Sequence, residues 1–334
     1  MAGLVVLLLW PEGKKPAPDY AGSGSGSVQV SVAQGASLTQ IGQALLKGGV
    51  VASTRAFTEA ASHSVAGTRI QPGVYELRRQ MSAVNALNVL LDPANANALT
   101  IPEGWRAGQV YTAIDQKLKL PTGTALATAQ QHVAELGLPD WTGGNTEGFL
   151  FPSTYPVTGD TNVLTLLKEM VGQSGRVFGG DDVQSLASGN NQTPYGLVTI
   201  ASLVQGEADN PEDMAKVARV IYNRLGKNMP LQLDSTINYA LGRSTLSTTT
   251  GDTRTESPFN TYLHPGLPPT PIANPGRDAL QAAAHPAEGD WLYFVTVRPG
   301  DTRFTDSFDQ QQKNVAEFNA NQAKERSSPS ASGH

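Results

Sequence analysis

Two cap-and-proline pairs constrain the fold of this chain more than any other feature, because each one sets the start of a helix. Thr193-Pro194 predicts a helix from Pro194 to about Ala208, and Asn210-Pro211 predicts a second helix that ends near Leu225. The apolar stripe of the second helix comprises Met214, Val217, Ala218, Ile221 and Leu225. The sequence therefore predicts two consecutive helices that each bury an apolar face.

The first of these helices carries a glutamate on its apolar face. Ile200, Leu203, Val204 and Glu207 follow the i, i+3, i+4, i+7 spacing of one stripe. Glu207 falls in the last turn, where the helix dipole and the apolar neighbours both disfavour its charge. Both effects raise its pKa, as a general acid near neutral pH requires. Pairing with a buried Arg or Lys is the structural alternative, and the residues alone leave both open.

The composition limits the classes of function. With 334 residues the chain is long enough for two or three domains, and a net charge of -5 gives no reason to expect nucleic acid as a partner. The absence of cysteine excludes disulfides and thiolate catalysis. His264 and His285 sit beside prolines without metal-ligand spacing, so neither a metal nor another cofactor is expected.

The amino terminus is apolar but short. Residues 1–10, "MAGLVVLLLW", are about half of the roughly 20 apolar residues that a membrane-spanning helix needs. They are interpreted as the remnant of a truncated membrane anchor, with a signal-peptide core or a disordered apolar tail as the alternatives. Residues 11–27 are rich in Pro, then in Gly and Ser, and predict a linker.

A strand, a Gly turn and a helix are predicted directly after the linker, and the chain as a whole is interpreted as an α+β fold. Residues 30–41, "VSVAQGASLTQI", align without gaps with residues 99–110, "LTIPEGWRAGQV". Gly35 matches Gly104, and Gln40 matches Gln109. A short strand-turn-helix unit is therefore predicted to occur twice, with chance similarity between two such units as the alternative.

Several ordered motifs resemble a known family. They are "EGFLFPSTY", "TPYGLVTIASLVQGEA", "VARVIYNRL", "MPLQLDSTINYALG", "SPFNTYLHPGLPPTPIANPG", "ALQAAAHP" and "WLYFV". Together they are similar, over about Leu99 to Asn319, to the MltG/YceG family of endolytic murein transglycosylases. The resemblance implies a small LysM-like β/α module at residues 28–98, a mixed α+β YceG-like catalytic domain at 99–322 and a disordered tail at 323–334.

The resemblance also implies roles for individual residues. The family's catalytic glutamate falls on Glu207. The candidates for substrate binding are Glu147, Gln232, Asp234, Asn260, Tyr262 and Asn274. The chain departs from the family pattern at Ser153, Gln205 and Phe259, which are neighbours of these positions and put fine specificity in doubt. As an alternative, the Asn and Gln candidates satisfy backbone groups of the Pro-rich loop and Glu147 caps a helix.

One carboxylate suffices for such chemistry only if the substrate brings its own nucleophile. Glycoside cleavage normally uses two carboxylates, and Asp209, Asp213 and Asp234 are the nearby candidates for a second. In peptidoglycan, the 6-hydroxyl of N-acetylmuramic acid can attack its own C1, which leaves a 1,6-anhydro sugar and consumes no water. The residues do not decide whether Asp234 or Glu147 assists Glu207.

The expected function is endolytic cleavage of the β-1,4 bond between N-acetylmuramic acid and N-acetylglucosamine in nascent glycan strands. The resemblance implies a single-pass protein of the cell membrane with an extracytoplasmic catalytic domain. Peptidoglycan strands are the expected partner, and peptidoglycan synthases are further candidates. The alternatives are a non-enzymatic glycan-binding scaffold of the cell wall or division site, and a hydrolysing muramidase.

Overall fold

The computed structural model describes residues 16–64, 69–178, 182–243 and 248–327. The chain divides into two compact units. One comprises the chain up to Leu99 together with Thr154–Asp160, and the other comprises Thr100–Ser153 and the chain from Thr161 onward. The mixture of helices and antiparallel strands agrees with the predicted α+β class. The predicted anchor remnant, residues 1–10, lies outside the described residues.

The first unit is built around an antiparallel sheet of order β1-β2-β3-β4. Its elements in chain order are β1 (Ser23–Val32), α1 (Leu38–Lys47), α2 (Thr54–Ser62), β2 (Gly73–Met81), α3 (Ala83–Leu91), β3 (Ala96–Ile101) and β4 (Ser153–Pro156). Val28 of β1 pairs with Leu77 of β2. Phe57, Tyr75 and Leu45 are completely buried in the core between the sheet and the helices. The LysM-like assignment of this region stays a prediction.

The two predicted strand-turn-helix units share their turn geometry. Gly35 and Gly104, the residues matched between them, both have a positive φ, 71° and 77° respectively. Each turn is followed by a helix, α1 after the first and α4 (Ala107–Leu118) after the second. The side chains of Gln40 and Gln109 accept hydrogen bonds from the N–H groups of Ser37 and Arg106, at 2.8 and 2.9 Å. The matched glycines therefore form a turn with positive φ in both units, and the matched glutamines bind the backbone N–H at the start of the following helix.

The second unit is mainly helical. After α4 its elements are α5 (Thr124–Gln131), α6 (Val163–Phe178), α7 (Asp182–Gly189), α8 (Pro194–Glu207), α9 (Pro211–Gly226), α10 (Asp234–Ala240), α11 (Arg277–Ala284), β5 (Tyr293–Arg298), β6 (Asp301–Thr305) and α12 (Phe308–Ser327). Strands β5 and β6 form an antiparallel hairpin. Helices α8, α9 and α11 pack together and supply most of the core.

Both cap-and-proline predictions are confirmed. The Thr193 hydroxyl accepts a 3.0 Å hydrogen bond from the Gly196 N–H at the start of α8. Asn210 Oδ1 accepts a 2.9 Å hydrogen bond from the Asp213 N–H at the start of α9. In each helix proline occupies the first position, where the missing N–H costs nothing.

The single apolar stripe predicted for α8 is wrong. Every residue from Gly196 to Val204 is buried, including the polar Thr199 and Ser202. The Ser202 hydroxyl donates to the Thr199 carbonyl at 2.7 Å and accepts from the Ile272 N–H at 3.0 Å, which removes the cost of burying it. Helix α8 is thus a central helix covered on all sides, and exposure begins again only at its last turn.

Two predicted boundaries differ from the structure. Strand β1 begins at Ser23, within the predicted linker of residues 11–27, because β2 continues to Met81 and offers partners as far as Ser23. The register shifts between Ser25 and Val28, where a bulge accommodates the Gly-Ser residues. Helix α12 continues to Ser327 and so includes the first residues of the predicted tail, 323–334.

Candidate active site

Glu207 is the last residue of α8. The helix closes behind it through the Ala208 N–H, which donates to the Val204 carbonyl at 3.1 Å. Burial raises the pKa of Glu207 to about 7, and the negative charge of Asp234 adds to the rise. Ser235 acts in the opposite direction through its hydroxyl and backbone N–H. Glu207 therefore carries a proton over much of the range up to neutral pH.

A glycine brings α10 close to this carboxyl group. A Cβ on Gly206 would lie 3.0 Å from the Cβ of Ser235, so the missing side chain permits the last turn of α8 to approach the first turn of α10. Among the described residues, Glu207 Oε1 and Ser235 Oγ are buried atoms with no geometric hydrogen-bond partner. We regard the Glu207–Ser235 interaction as an electrostatic proximity, because the distance and angle criteria for a hydrogen bond are not met. Oε1 of Glu207 thus keeps a hydrogen-bonding capacity that no described residue uses.

Asp234 and Tyr262 lie beside Glu207. The Tyr262 hydroxyl donates a 2.7 Å hydrogen bond to Asp234 Oδ1. Burial raises the pKa of Tyr262, and the nearby charges of Asp234 and Glu207 raise it further, so the phenol keeps its proton. Glu207, Asp234 and Tyr262, three of the predicted site residues, therefore form one cluster.

Gln232 lies just before α10 and is exposed. Its backbone adopts the left-handed region with φ 53°, and its N–H donates to the Thr261 carbonyl at 3.0 Å. Its Oε1 is 3.4 Å from Nη1 of Arg224, a long contact. Arg224 itself is buried, with Nη1 donating to the Leu231 carbonyl at 2.8 Å and Nε to the Leu292 carbonyl at 2.6 Å. Arg224 thus holds the segment that leads into α10, and the Gln232 side chain faces solvent.

Glu147 occupies a different position in the same unit. Its Oε1 accepts from the Ala107 N–H at 2.9 Å, and its Oε2 accepts from the Tyr239 hydroxyl at 3.2 Å. Burial raises the pKa of Glu147 to about 7, although these hydrogen bonds and the charge of Arg106 act against the rise. The bond to Ala107 lies at the start of α4, so the predicted helix-capping alternative describes one of its two oxygens.

A cavity of about 940 Å³ lies beside Glu147. Its walls include Trp105, Arg106, Tyr239 and Phe259. The Arg106 guanidinium lies over the Tyr239 ring at 5.0 Å, and the Tyr239 and Phe259 rings are 4.8 Å apart. Glu147 lines this cavity, whereas Glu207 is not among its lining residues. The two glutamates therefore lie at different places in the second unit.

Asn260 and Asn274 are fully buried and bonded to backbone. Asn260 Nδ2 donates to the carbonyls of Thr253 and Thr255 at 3.0 and 2.8 Å, and its Oδ1 accepts from the Tyr262 N–H at 2.9 Å. Asn274 Nδ2 donates to the Trp105 carbonyl at 2.8 Å. These contacts favour the structural alternative, in which both amides satisfy backbone groups, and the substrate-binding role of Asn260 and Asn274 stays a prediction.

The Asn274 side chain also connects distant segments. Its Oδ1 accepts a 2.9 Å hydrogen bond from the Leu150 N–H, so one amide joins the Pro-rich loop to the segments of Trp105 and Leu150. The neighbouring Gly276 N–H donates to Gln205 Oε1 at 2.8 Å. Gln205, where the family pattern differs, therefore anchors the loop to α8 two residues before Glu207.

The sequence reasoning did not single out Ser235, Arg106 or Tyr239. Ser235 and Tyr239 both lie in the quoted segment "LQLDSTINYALG", one beside Asp234 and the other five residues later. Arg106 directly precedes α4, in the second of the two matched strand-turn-helix units. No local sequence pattern marks these three residues, because each of them contacts a residue that is distant in the sequence.

The part of the chain that the structure describes contains neither a candidate metal-binding group nor a candidate membrane-spanning helix. No group of three or more His, Asp or Glu side chains there lies close enough together to hold a metal ion. Among the same residues, no helix combines the length and the apolar character that crossing a bilayer demands.

Comparison with known proteins places the chain in a family. The fold and site define a mixed α+β protein with a buried, protonatable glutamate at a helix end. The chain belongs to the YceG-like family, whose model matches residues 30–317.

The relatives agree with this placement. Over 303 residues the chain is 31% identical to the endolytic murein transglycosylase of Bacillus subtilis (strain 168), which covers 86% of this chain and 83% of the relative. It is 32% identical over 323 residues to the endolytic murein transglycosylase of Streptococcus pneumoniae serotype 2, covering 87% of this chain but 58% of that longer relative. A crystal structure of a putative yceG-like protein from Listeria monocytogenes matches with a TM-score of 0.60 and 28% identity, covering 86% of this chain and 98% of that one.

Proposed function

We propose that this chain is an endolytic peptidoglycan lytic transglycosylase in which Glu207 is the catalytic acid. The observation that carries the proposal is Glu207 itself, a carboxyl group with a pKa near 7 and an oxygen that no described residue binds. A general acid needs such a pKa to hold a proton near neutral pH and still release it in the reaction. Relatives that are 31% and 32% identical to the chain over the aligned residues are named endolytic murein transglycosylases, which supports the same activity here.

The proposed reaction needs one carboxyl group and no water. Glu207 donates its proton to the oxygen that links C1 of N-acetylmuramic acid to the next N-acetylglucosamine, and the C1–O bond breaks. The 6-hydroxyl of the same muramic acid forms a new bond to C1 and returns its proton to the Glu207 carboxylate. The products are a 1,6-anhydro sugar end and a free 4-hydroxyl, and the acid is restored.

The neighbours of Glu207 have distinct proposed roles. Asp234 favours the protonated form of Glu207 through its negative charge, and Tyr262 holds Asp234 in place. Gln232, exposed and lightly bonded, is available to contact a sugar. A hydrolysing muramidase would use a second carboxylate to activate water, and the hydrogen bond from Tyr262 to Asp234 makes that use less favourable.

The proposed setting is the outer side of the cell membrane, where glycan strands are made. We also propose that the apolar amino terminus attaches the chain to the membrane. Peptidoglycan synthases are its proposed protein partners. Nascent glycan strands are the proposed substrate, since an endolytic enzyme must act within a strand.

Product analysis tests the proposal directly. The purified protein is incubated with peptidoglycan, and the released fragments are analysed by mass spectrometry. We expect 1,6-anhydromuramoyl ends from the native chain and a loss of about 10²- to 10⁴-fold in rate for Glu207→Gln, the usual contribution of a general acid. The matched control is Glu212→Gln, because the Glu212 side chain is 81% exposed and pairs only with Lys216 at 2.7 Å.

Three outcomes separate the candidate functions. Reducing ends in place of anhydro ends would assign a hydrolysing muramidase. Binding of glycan without any product, equal for the native chain and Glu207→Gln, would assign a scaffold. Normal turnover by Glu207→Gln would remove Glu207 from the mechanism.

A further inference from the structure

The cavity beside Glu147 has aromatic walls and no part in the chemistry proposed for Glu207. Trp105, Tyr239 and Phe259 line it, together with the amides of Gln109 and Gln116. Its volume of about 940 Å³ is at the upper end of the range of small-molecule sites. Aromatic faces combined with neutral hydrogen-bonding groups suit a ligand that has both apolar C–H faces and many polar substituents.

The cavity contains one basic and one acidic side chain. Among the described residues that line it, only Arg106 and Glu147 are ionisable to charged groups at neutral pH. The Arg106 guanidinium is already engaged, since its Nη2 donates to the Arg243 carbonyl at 2.7 Å and its plane lies over Tyr239. The Glu147 oxygens accept from Ala107 and Tyr239. An uncharged ring can therefore bind without disturbing these contacts, whereas a ligand with a free carboxylate would have to draw the Arg106 guanidinium away from the Arg243 carbonyl.

Helix α10 connects this cavity to the cluster around Glu207. Asp234 and Ser235 lie in its first turn beside Glu207, and Tyr239 lies five residues after Asp234 in the cavity wall. With a rise of about 1.5 Å per residue, the two places are roughly 7–8 Å apart along the helix axis. A polymer bound at Glu207 can therefore reach the cavity with a neighbouring unit.

We propose that this cavity binds an N-acetylated sugar ring of the same glycan strand that Glu207 cleaves, with Trp105, Tyr239 and Phe259 as the stacking surfaces. The proposal rests on the proposed function for the identity of the strand. Glu147 is a positioning residue here, because its two hydrogen bonds hold the start of α4 and Tyr239 in the cavity wall. Sugar binding away from the cleaved bond would make strand length a determinant of affinity.

A binding experiment on the inactive chain tests the proposal without any turnover. Full-length protein carrying Glu207→Gln is titrated by calorimetry with peptide-free glycan strands and, separately, with stem peptides free of sugar. We expect the strands to bind and the peptides not to bind. Adding Trp105→Leu should weaken strand binding by about tenfold, and Phe259→Leu by about threefold, because leucine keeps apolar volume but removes the aromatic face.

Two aromatic residues outside the cavity provide matched controls. Trp141 is 37% exposed and Phe308 is 57% exposed, and neither lines the cavity. Trp141→Leu and Phe308→Leu should leave strand affinity within twofold. Thermal midpoints of all four variants identify any that fail to fold, and Phe259→Leu still tests the proposal if Trp105→Leu is unstable.

The outcomes separate this proposal from the proposed function. Equal strand affinity in the cavity and control variants would overturn the sugar site, as would binding of the stem peptides instead of the strands. An absence of strand binding by the Glu207→Gln chain would overturn it as well. Failure to produce anhydro ends while the Trp105 and Phe259 variants lose affinity would instead refute the transglycosylase and leave a sugar-binding cavity.

Discussion

The Tyr262 hydroxyl donates a 2.7 Å hydrogen bond to Asp234 Oδ1, and this pair sits beside the carboxyl group of Glu207. The bond fixes the direction of the Asp234 carboxylate. The charge of Asp234 raises the pKa of Glu207 in addition to the larger effect of burial. A residue of the Pro-rich loop thereby influences the proton on the last residue of α8.

Removing the charge of Asp234 should move the pH profile of cleavage. If protonated Glu207 is required, kcat/KM falls above a pKa of about 7. In Asp234→Asn the amide still accepts from Tyr262, but the lost negative charge makes ionised Glu207 more favourable. The pKa of Glu207 falls, so we expect the descending limb of kcat/KM to move to lower pH.

Tyr262→Phe is the matched comparison for this shift. It removes the hydrogen bond to Asp234 and keeps the charge, so its descending limb should not move to lower pH. The measurement is kcat/KM between pH 5 and 9, a range of roughly two units on each side of the Glu207 pKa. Identical profiles for the native chain and Asp234→Asn would show that Asp234 does not influence the acid.

The raised pKa values of Glu147 and Glu207 should make the protein less stable as pH rises. Both groups are protonated in both states below about pH 4.5; between there and about pH 7 the unfolded chain releases protons that the folded chain retains. The free energy of unfolding therefore falls across this window and levels off above it. A shift from 4.5 to about 7 corresponds to a loss on the order of 3 kcal/mol for the buried Glu147.

Thermal or urea unfolding at roughly pH 4.5 to 7.5, which spans the pKa values of the unfolded and folded states, checks this dependence. Glu147→Gln should flatten the slope, because an amide can accept from the Ala107 N–H without any proton to release. Glu212→Gln, at an exposed position, should leave the slope unchanged. A native chain whose stability rises through this window would contradict the expectation.

Substitution of Gly206 should affect activity more than stability. Alanine in a helix is favoured over glycine by about 1 kcal/mol, but a Cβ on Gly206 would meet the Cβ of Ser235 at 3.0 Å. The contact forces α10 away from Glu207 and offsets the gain. We expect Gly206→Ala to lower kcat about tenfold, with no increase in the free energy of unfolding, because the acid loses the proximity of Ser235 and Asp234.

Gly175 is the matched control, since it lies in α6 and a Cβ there would meet nothing within 4 Å. Gly175→Ala should stabilise the protein by up to about 1 kcal/mol and leave kcat unchanged. The measurements are kcat and the urea midpoint of unfolding for each of the two variants. Equal stabilisation with full activity in both would show that α10 does not need the close approach at Gly206.

Loss of the Asn274 side chain should destabilise the fold without a selective effect on glycan binding. Asn274→Ala leaves the buried Leu150 N–H without its side-chain acceptor, whereas the Trp105 carbonyl keeps its 2.8 Å bond from the Asn274 backbone N–H. We expect the free energy of unfolding to fall by about 1–3 kcal/mol, the cost of one buried unsatisfied group. Asn319→Ala, on an exposed face of α12, should change it by less than about 0.5 kcal/mol.

Glycan affinity distinguishes the two roles of Asn274. The measurement is made under conditions in which Asn274→Ala is still folded. Unchanged affinity supports the structural role, while a stable variant with weakened affinity would support the substrate-binding prediction.

Local chemistry made the two central helices predictable. The caps at Thr193 and Asn210 act within three residues, so the sequence contains all the information that sets the starts of α8 and α9. The position of Glu207 at the end of α8 follows from the same signals. The raised pKa of Glu207 was expected from burial, and the structure adds the charge of Asp234 as a second cause.

Long-range contacts made the rest of the site unpredictable. Glu147 meets Tyr239 across 92 positions of the chain, and Asn274 meets Trp105 across 169. No local pattern distinguishes a buried amide that bonds backbone from one that binds a sugar, so the sequence left both roles open for Asn260 and Asn274. The burial of α8 on every side likewise depends on α9 and α11, which pack on it from later in the chain.

The buried guanidinium of Arg224 has a consequence for synthesis on the ribosome. Its Nε finds its acceptor at the Leu292 carbonyl, 68 positions later in the chain. During translation the Nη1 bond to the nearby Leu231 carbonyl can form early, but the Nε group has no acceptor until the β5–β6 hairpin region has been made. We expect the unit that carries Glu207 to reach its final packing only when translation is nearly complete.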